Sequence, residues 1–304
     1  MKKIAFLFLI YDTINLEELW HKFFLYADKD KYSIYIHYKN NKPLQYFEKY
    51  KLNNCIDTKY ADISLVKAQN ILLKEALKDP NNSHFILLSN SCVPFKNFDF
   101  IYNNLDDKYS YFNIMGQNEC FPRCIEVLKF IDEKFIQKAS QWCILNRKHA
   151  ALLIFNTIYL DWFKNIYAAD EHCYISFLFF NNLNNEIIFT LNSANNATTF
   201  TNWEGMIYKY PSQSGLKNYN FISKDEIIYL INSKCFFGRK FLSPSYSSFL
   251  IPEYINLFIP PNKQHLFTYN ISKKSPFNLK LFISLLFILF ISWIFVKYCI
   301  DPRA

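Results

Sequence analysis

The chain has 304 residues, enough for one large α/β domain or two small ones. With 51% hydrophobic residues, 19% aromatics, four glycines and no internal repeat, it is neither intrinsically disordered nor a repetitive low-complexity fold. The formal net charge of +8 comes from lysines scattered along the sequence, which describes a solvated surface and not a nucleic-acid-binding stripe.

Ile4–Ile10 is a continuous apolar run behind two lysines. It is short for a signal peptide and no small-residue cleavage site follows, so it reads as a strand buried on both faces. Leu16–Ala27 carries Leu16, Leu19, Trp20, Phe23 and Phe24 at helical spacing. Tyr32–Tyr38 alternates as a strand, Ile63–Leu77 is an amphipathic helix closed by Asp79-Pro80, and His84–Leu88 is a third short strand. Strand, helix, strand, helix, strand predicts a right-handed parallel sheet with ligands at the carboxyl ends of its strands. The loop Ser89-Asn90-Ser91-Cys92-Val93-Pro94 then faces a ligand, or is an ordinary turn.

Residues 146–163 are expected to form one helix, and Asp170-Glu171-His172 to open another that runs through Phe180, with Asp170 capping its free N–H groups. From Pro244 to Pro276 the sequence is proline-bearing and irregular, as a wrap-around tail would be. Leu281–Val296 is uncharged and lies between Lys280 and Lys297; with its flanks it reaches bilayer length, so residues 279–298 read as a transmembrane helix and 299–304 as a short tail. A single C-terminal anchor without a signal peptide places the large domain on the cytosolic face. The eight cysteines include no CxxC pair, which gives a zinc site little support and suits small core residues in a reducing compartment.

The blocks KIAFLFL, LWHKFF, YSIYIH, AQNILLKEAL, HFILLSNSCVPFKNFDFIYNNL, KASQWCILNRKHA, DEHCYISFL, FTNW and FFGRKF follow one another in order. Together they resemble the Core-2/I-branching β-1,6-N-acetylglucosaminyltransferase family (glycosyltransferase family 14), its plant-type branch most of all, over roughly residues 2–250. The resemblance implies a GT-A fold, a Rossmann-like mixed sheet with helices on both faces, occupying residues 1–250 and followed by a linker over 251–278. It also implies an inverting transfer from a nucleotide sugar, typically UDP-linked, to a glycan or glycoprotein hydroxyl, with no cofactor and no metal.

GT-A enzymes usually hold a divalent cation with Asp-x-Asp at a strand end. Here Asp28-Lys29-Asp30 precedes the second strand and so sits at its wrong end, while the donor-side loop carries Ser89-Asn90-Ser91. The leaving diphosphate then needs side-chain cations. By resemblance these are Arg239 and Lys240, with Lys217 at a looser second basic position and Ser89 on the donor side; a plain surface basic pair is the alternative. The family places its general base at Glu171, although Asp-Glu at a helix start is more often capping. Trp203 matches a family tryptophan near the acceptor sugar, Trp142 serves core or site, and Arg123 is a candidate acceptor contact. Glu204, beside Trp203, is the fallback base. Family members usually carry an N-terminal anchor, and residues 113–138 match poorly. A catalytically inactive glycan-binding membrane protein with a vestigial transferase fold is the competing reading.

Overall fold

The structure, a computed structural model, describes residues 2–115, 123–191, 198–202 and 216–259. In chain order the strands are β1 (Lys3–Ile10), β2 (Tyr32–Tyr38), β3 (Asn82–Ser89), β4 (Val93–Pro94), β5 (Ser110–Met115), β6 (Lys138–Ala139), β7 (Ile144–Asn146), β8 (Ile187–Leu191), β9 (Thr199–Thr201) and β10 (Phe237–Arg239). The helices are α1 (Glu17–Leu25), α2 (Ile63–Ala76), α3 (Phe98–Asn104), α4 (Arg147–Phe155), α5 (Tyr159–Phe163), α6 (Cys173–Phe180), α7 (Lys224–Asn232) and α8 (Pro252–Ile255).

β1 is the strand the sequence reading expects. It pairs in parallel with β2 on one side and β3 on the other, setting Phe6 opposite Ile34 and Ile86. Its side chains alternate between two cores. Ile4, Phe6, Phe8 and Ile10 face a core shared with Trp20, Phe23 and Phe24 of α1 and Ile227 and Leu230 of α7. Ala5, Leu7 and Leu9 face one shared with Val66, Leu72 and Leu73 of α2 and Ile175 and Phe177 of α6. A two-residue repeat on a strand covered on both faces gives an unbroken apolar run.

The sheet is mixed. Its order is β2-β1-β3-β7-β5-β6, with β8 also pairing β5. β7 is antiparallel to β3 and β5, β6 is antiparallel to β5, and β8 is parallel to β5. A second, three-stranded sheet runs β4-β10-β9, with β10 antiparallel to β4 and parallel to β9. Asn113 joins the two sheets: its Nδ2 donates to Thr199 O at 2.8 Å, and its Oδ1 accepts from Thr198 N at 2.9 Å and Thr190 Oγ1 at 2.6 Å.

Three expectations change. The single helix over 146–163 is two, α4 and α5, because Asn156 leaves helical geometry at φ −130°, ψ 95° and closes α4. Asp170 caps nothing: it lies within a 3-10 turn, Ala169–Glu171, and α6 begins at Cys173 without a side-chain cap. The folded unit also runs to Phe258, past the expected boundary at 250. Tyr254 is fully buried and its hydroxyl donates to Pro94 O at 2.8 Å, so the first part of the proline-bearing tail belongs to the core.

The expected span at 279–298, Trp203 and Glu204 lie outside the described residues. Among the described residues no helix is long and apolar enough to cross a membrane. Of the six described cysteines, all but Cys55 are buried.

Candidate active site

The carboxyl ends of β1, β3, β9 and β10 open into one cavity of about 750 Å³. Asp28 and Asp30 lie at the other end of the main sheet, where Asp28 Oδ1 accepts from Asp30 N in the turn before β2.

The floor of the cavity is the loop after β3, held from several directions. Trp20 Nε1 donates to Cys92 O at 2.9 Å, and Asn15 N to Asn90 O at 2.9 Å. Phe241 N donates to Ser91 O at 3.0 Å, which ties the loop to the segment following β10. Ser89 is buried, lines the cavity and shares its hydroxyl with Ser91 Oγ at 3.1 Å. The loop thus lines the cavity through Ser89 and Asn90.

Arg239 and Lys240 enter from the end of β10, and both line the cavity. Gly238 makes this approach possible. A Cβ at that position would stand 2.3 Å from Phe95 Cε2, so only glycine lets β10 pass so near the ring. The Arg239 guanidinium lies over Trp142, 4.7 Å from the ring centroid. Trp142 is therefore both buried and part of the site. Arg239 Nε has no hydrogen-bond partner among the described residues, and no carboxylate there forms an ion pair with Arg239 or Lys240. Burial draws the Lys240 ammonium below the usual lysine range, and the Arg239 charge lowers it further. Two close cations that repel one another make a seat for an anion.

Asp170 and Glu171 are the two acidic side chains of the cavity lining. They are presented by a 3-10 turn that starts at Ala168, a left-handed residue (φ 57°). Glu171 Oε2 stands 3.5 Å from Arg123 Nη1 and 3.9 Å from Lys138 Nζ. Arg123 thus reaches the site through Glu171. Asp170 Oδ1 is buried with no hydrogen-bond partner. Burial pushes its pKa up to about 7, the neighbouring Glu171 adds to the rise, and Arg239 opposes it. Among the described residues no group of three or more His, Cys, Asp or Glu side chains is placed to hold a metal ion.

Lys217 is held elsewhere, 3.8 Å from Glu226 Oε1 and 4.1 Å from the Tyr219 ring centroid, and it is not part of the cavity lining. The structure therefore brings together Glu171, Ser89, Trp142, Arg239 and Lys240, with Arg123 at their edge. As site residues, sequence reasoning passed over Asp170, Asn113, Gln141, Tyr11 and the segment Thr58–Ala61, which also line the cavity. The signal available for Tyr11 was its place directly after β1.

A model of the Core-2/I-branching enzyme family matches residues 4–227. Over 160 residues the chain is 28% identical to Glycosyltransferase BC10 of Oryza sativa subsp. japonica, a match covering 50% of this chain and 40% of that protein. Among solved structures it is similar to the galactosyltransferase LgtC in complex with donor and acceptor sugar analogs, with TM-score 0.40, 9% identity, and 86% and 99% of the two chains covered. It is also similar to the apo bifunctional glycosyltransferase WbbM, with TM-score 0.41, 9% identity, and 88% and 52% covered. Neither structural likeness carries functional information.

Proposed function

The chain belongs to the Core-2/I-branching enzyme family, and from that membership we propose that it is a glycosyltransferase of the GT-A type. It moves a sugar, N-acetylglucosamine or a similar residue, from a UDP-linked donor to a glycan hydroxyl, with inversion and without a metal ion. One observation supports this reading above the others: a single cavity holds a carboxylate, Glu171, and two cations without carboxylate partners among the described residues, Arg239 and Lys240.

Direct displacement needs these parts in these roles. The Glu171 carboxylate takes the proton of the acceptor hydroxyl as its oxygen attacks the anomeric carbon. The bond from that carbon to the diphosphate oxygen breaks, and its electron pair leaves with the nucleoside diphosphate. Arg239 and Lys240 meet the charge that develops there, in surroundings that strengthen the interaction. Ser89-Asn90-Ser91 fills the place where metal-dependent enzymes carry Asp-x-Asp, which favours cations of the protein over a bound ion. For the apolar segment 279–298 we propose a bilayer anchor, with the domain on the cytosolic face.

A screen of nucleotide sugars and glycan acceptors tests the reading, with Glu171→Gln as control. Glutamine keeps the size of glutamate but does not take up a proton at neutral pH. Turnover is expected to drop at least about 100-fold with UDP affinity unchanged. Near-normal turnover would remove Glu171 from the mechanism. Intact sugar binding with no turnover for any donor would instead favour an inactive glycan-binding protein.

A further inference from the structure

Two exposed tyrosines, Tyr60 in the cavity lining and Tyr167 next to the lining residue Ala168, have matching settings. Tyr60 precedes Ala61, and Tyr167 precedes Ala168. Both alanines are left-handed, with φ of 54° and 57°, a region that residues other than glycine rarely occupy. Ala168 N donates to Ala61 O at 2.8 Å, so the two strained turns are clasped back to back. Each then presents its tyrosine outward: Tyr60 is 86% exposed and Tyr167 57%. The nearby Tyr167 hydroxyl pushes that of Tyr60 above its ordinary range.

The pair is joined to the proposed chemistry. Arg123 Cζ lies 5.3 Å from the Tyr167 ring centroid, and its Nη1 is 3.5 Å from Glu171 Oε2. Tyr60 and Glu171 line the same cavity. One face of Tyr167 is covered by Arg123, while Tyr60 stays open to solvent. Large aromatics exposed this far add nothing to the core, and strained backbone is characteristic of functional sites.

We propose that Tyr60 and Tyr167 form an acceptor platform, on which a pyranose ring of the glycan lies by its apolar face with its hydroxyl directed to Glu171. Aromatic rings pair a broad apolar face with a polar edge, which suits a sugar ring carrying C–H groups on one side and hydroxyls around its rim. The platform deepens the glycosyltransferase reading and rests on it for the identity of the second substrate.

Two measurements on the full-length chain test it. In saturation-transfer NMR with methyl glycosides of glucose, galactose and N-acetylglucosamine, ring protons on the apolar face of at least one sugar should receive saturation. Tyr60→Ala should abolish this and Tyr60→Phe should keep it. In transfer assays Tyr60→Ala should raise the acceptor KM about tenfold, with donor KM unchanged and Tyr60→Phe close to the parent. Equal saturation in parent and Tyr60→Ala, no saturation from any of the three sugars, or an unmoved acceptor KM overturns the platform. A chain that binds sugars through Tyr60 but transfers none overturns the enzymatic reading and leaves the platform standing.

Discussion

Asp170→Asn should make the protein more stable at alkaline pH and less sensitive to pH between 5 and 8.5. An aspartate in an unfolded chain titrates near 3.8, whereas in the fold burial and Glu171 push Asp170 up to about 7. Below pH 4 both states hold the proton and the group contributes no pH dependence. Between about 4 and about 7 the unfolded chain has released its proton while the folded one retains it. Stability therefore falls as pH rises through that window and levels off above it. Integrated from pH 5 to pH 8.5, the loss is about 2–3 kcal/mol, or roughly 5–10 °C in Tm for a domain of this size. Asparagine does not titrate and fills nearly the same space. The stability of Asp170→Asn minus that of the parent should thus widen by that amount across the window, as read by urea denaturation at half-unit steps. Parallel pH profiles for the two proteins would refute the reasoning, since they require Asp170 to titrate alike in the folded and unfolded chains.

Lys240→Ala should weaken UDP binding about tenfold, the effect of losing one charge-assisted contact to a diphosphate; calorimetry checks it, and unchanged affinity together with unchanged turnover would make Lys240 a surface charge. Gly238→Ala should weaken UDP to a similar extent without touching the ligand, because the new methyl group pushes Phe95 or displaces β10 and with it Arg239; a normal UDP affinity would show that the ring gives way freely. UDP affinity should be the same with and without excess EDTA, and a tenfold loss on chelation would place a metal ion in the donor site.

What could be read from the sequence depended on how local the physics is. β1 was plain, because a strand covered on both faces needs an unbroken apolar run, and Ile4–Ile10 has one. α2 was equally plain: Asp62 accepts from Ser64 N at 2.8 Å at its start, and the helix ends three residues before Asp79-Pro80. Asp170 was misread because an acid ahead of an apolar run has the same sequence pattern whether it caps a helix or turns inward. The difference is made by the left-handed Ala168, which no local pattern announces in an alanine. The cations Arg239 and Lys240 were reached through the resemblance and not through spacing, since sharing a cavity with Ser89 and Trp142 joins parts of the chain about a hundred or more residues apart. Tyr60 and Tyr167 could not be singled out among 22 tyrosines, because exposure is a property of the fold.

β10 comes late in the chain, yet it sits between β4 and β9 and finishes the cavity. Asn15 Nδ2 donates to Phe241 O at 2.9 Å across 226 positions, and Tyr254 reaches Pro94 across 160. A chain leaving the ribosome from its N-terminus can assemble β1, β2 and β3 early, with α2 laid over them. At that stage it has the acidic turn and both rim tyrosines still to come or unpaired, and no cations facing them. Residues 237–240 appear only after about four fifths of the sequence has been made, and they lie beyond the span 4–227 that the family pattern covers. On the proposed function, a nascent chain would gain its diphosphate site only once these late residues had emerged and joined β10 to β4 and β9.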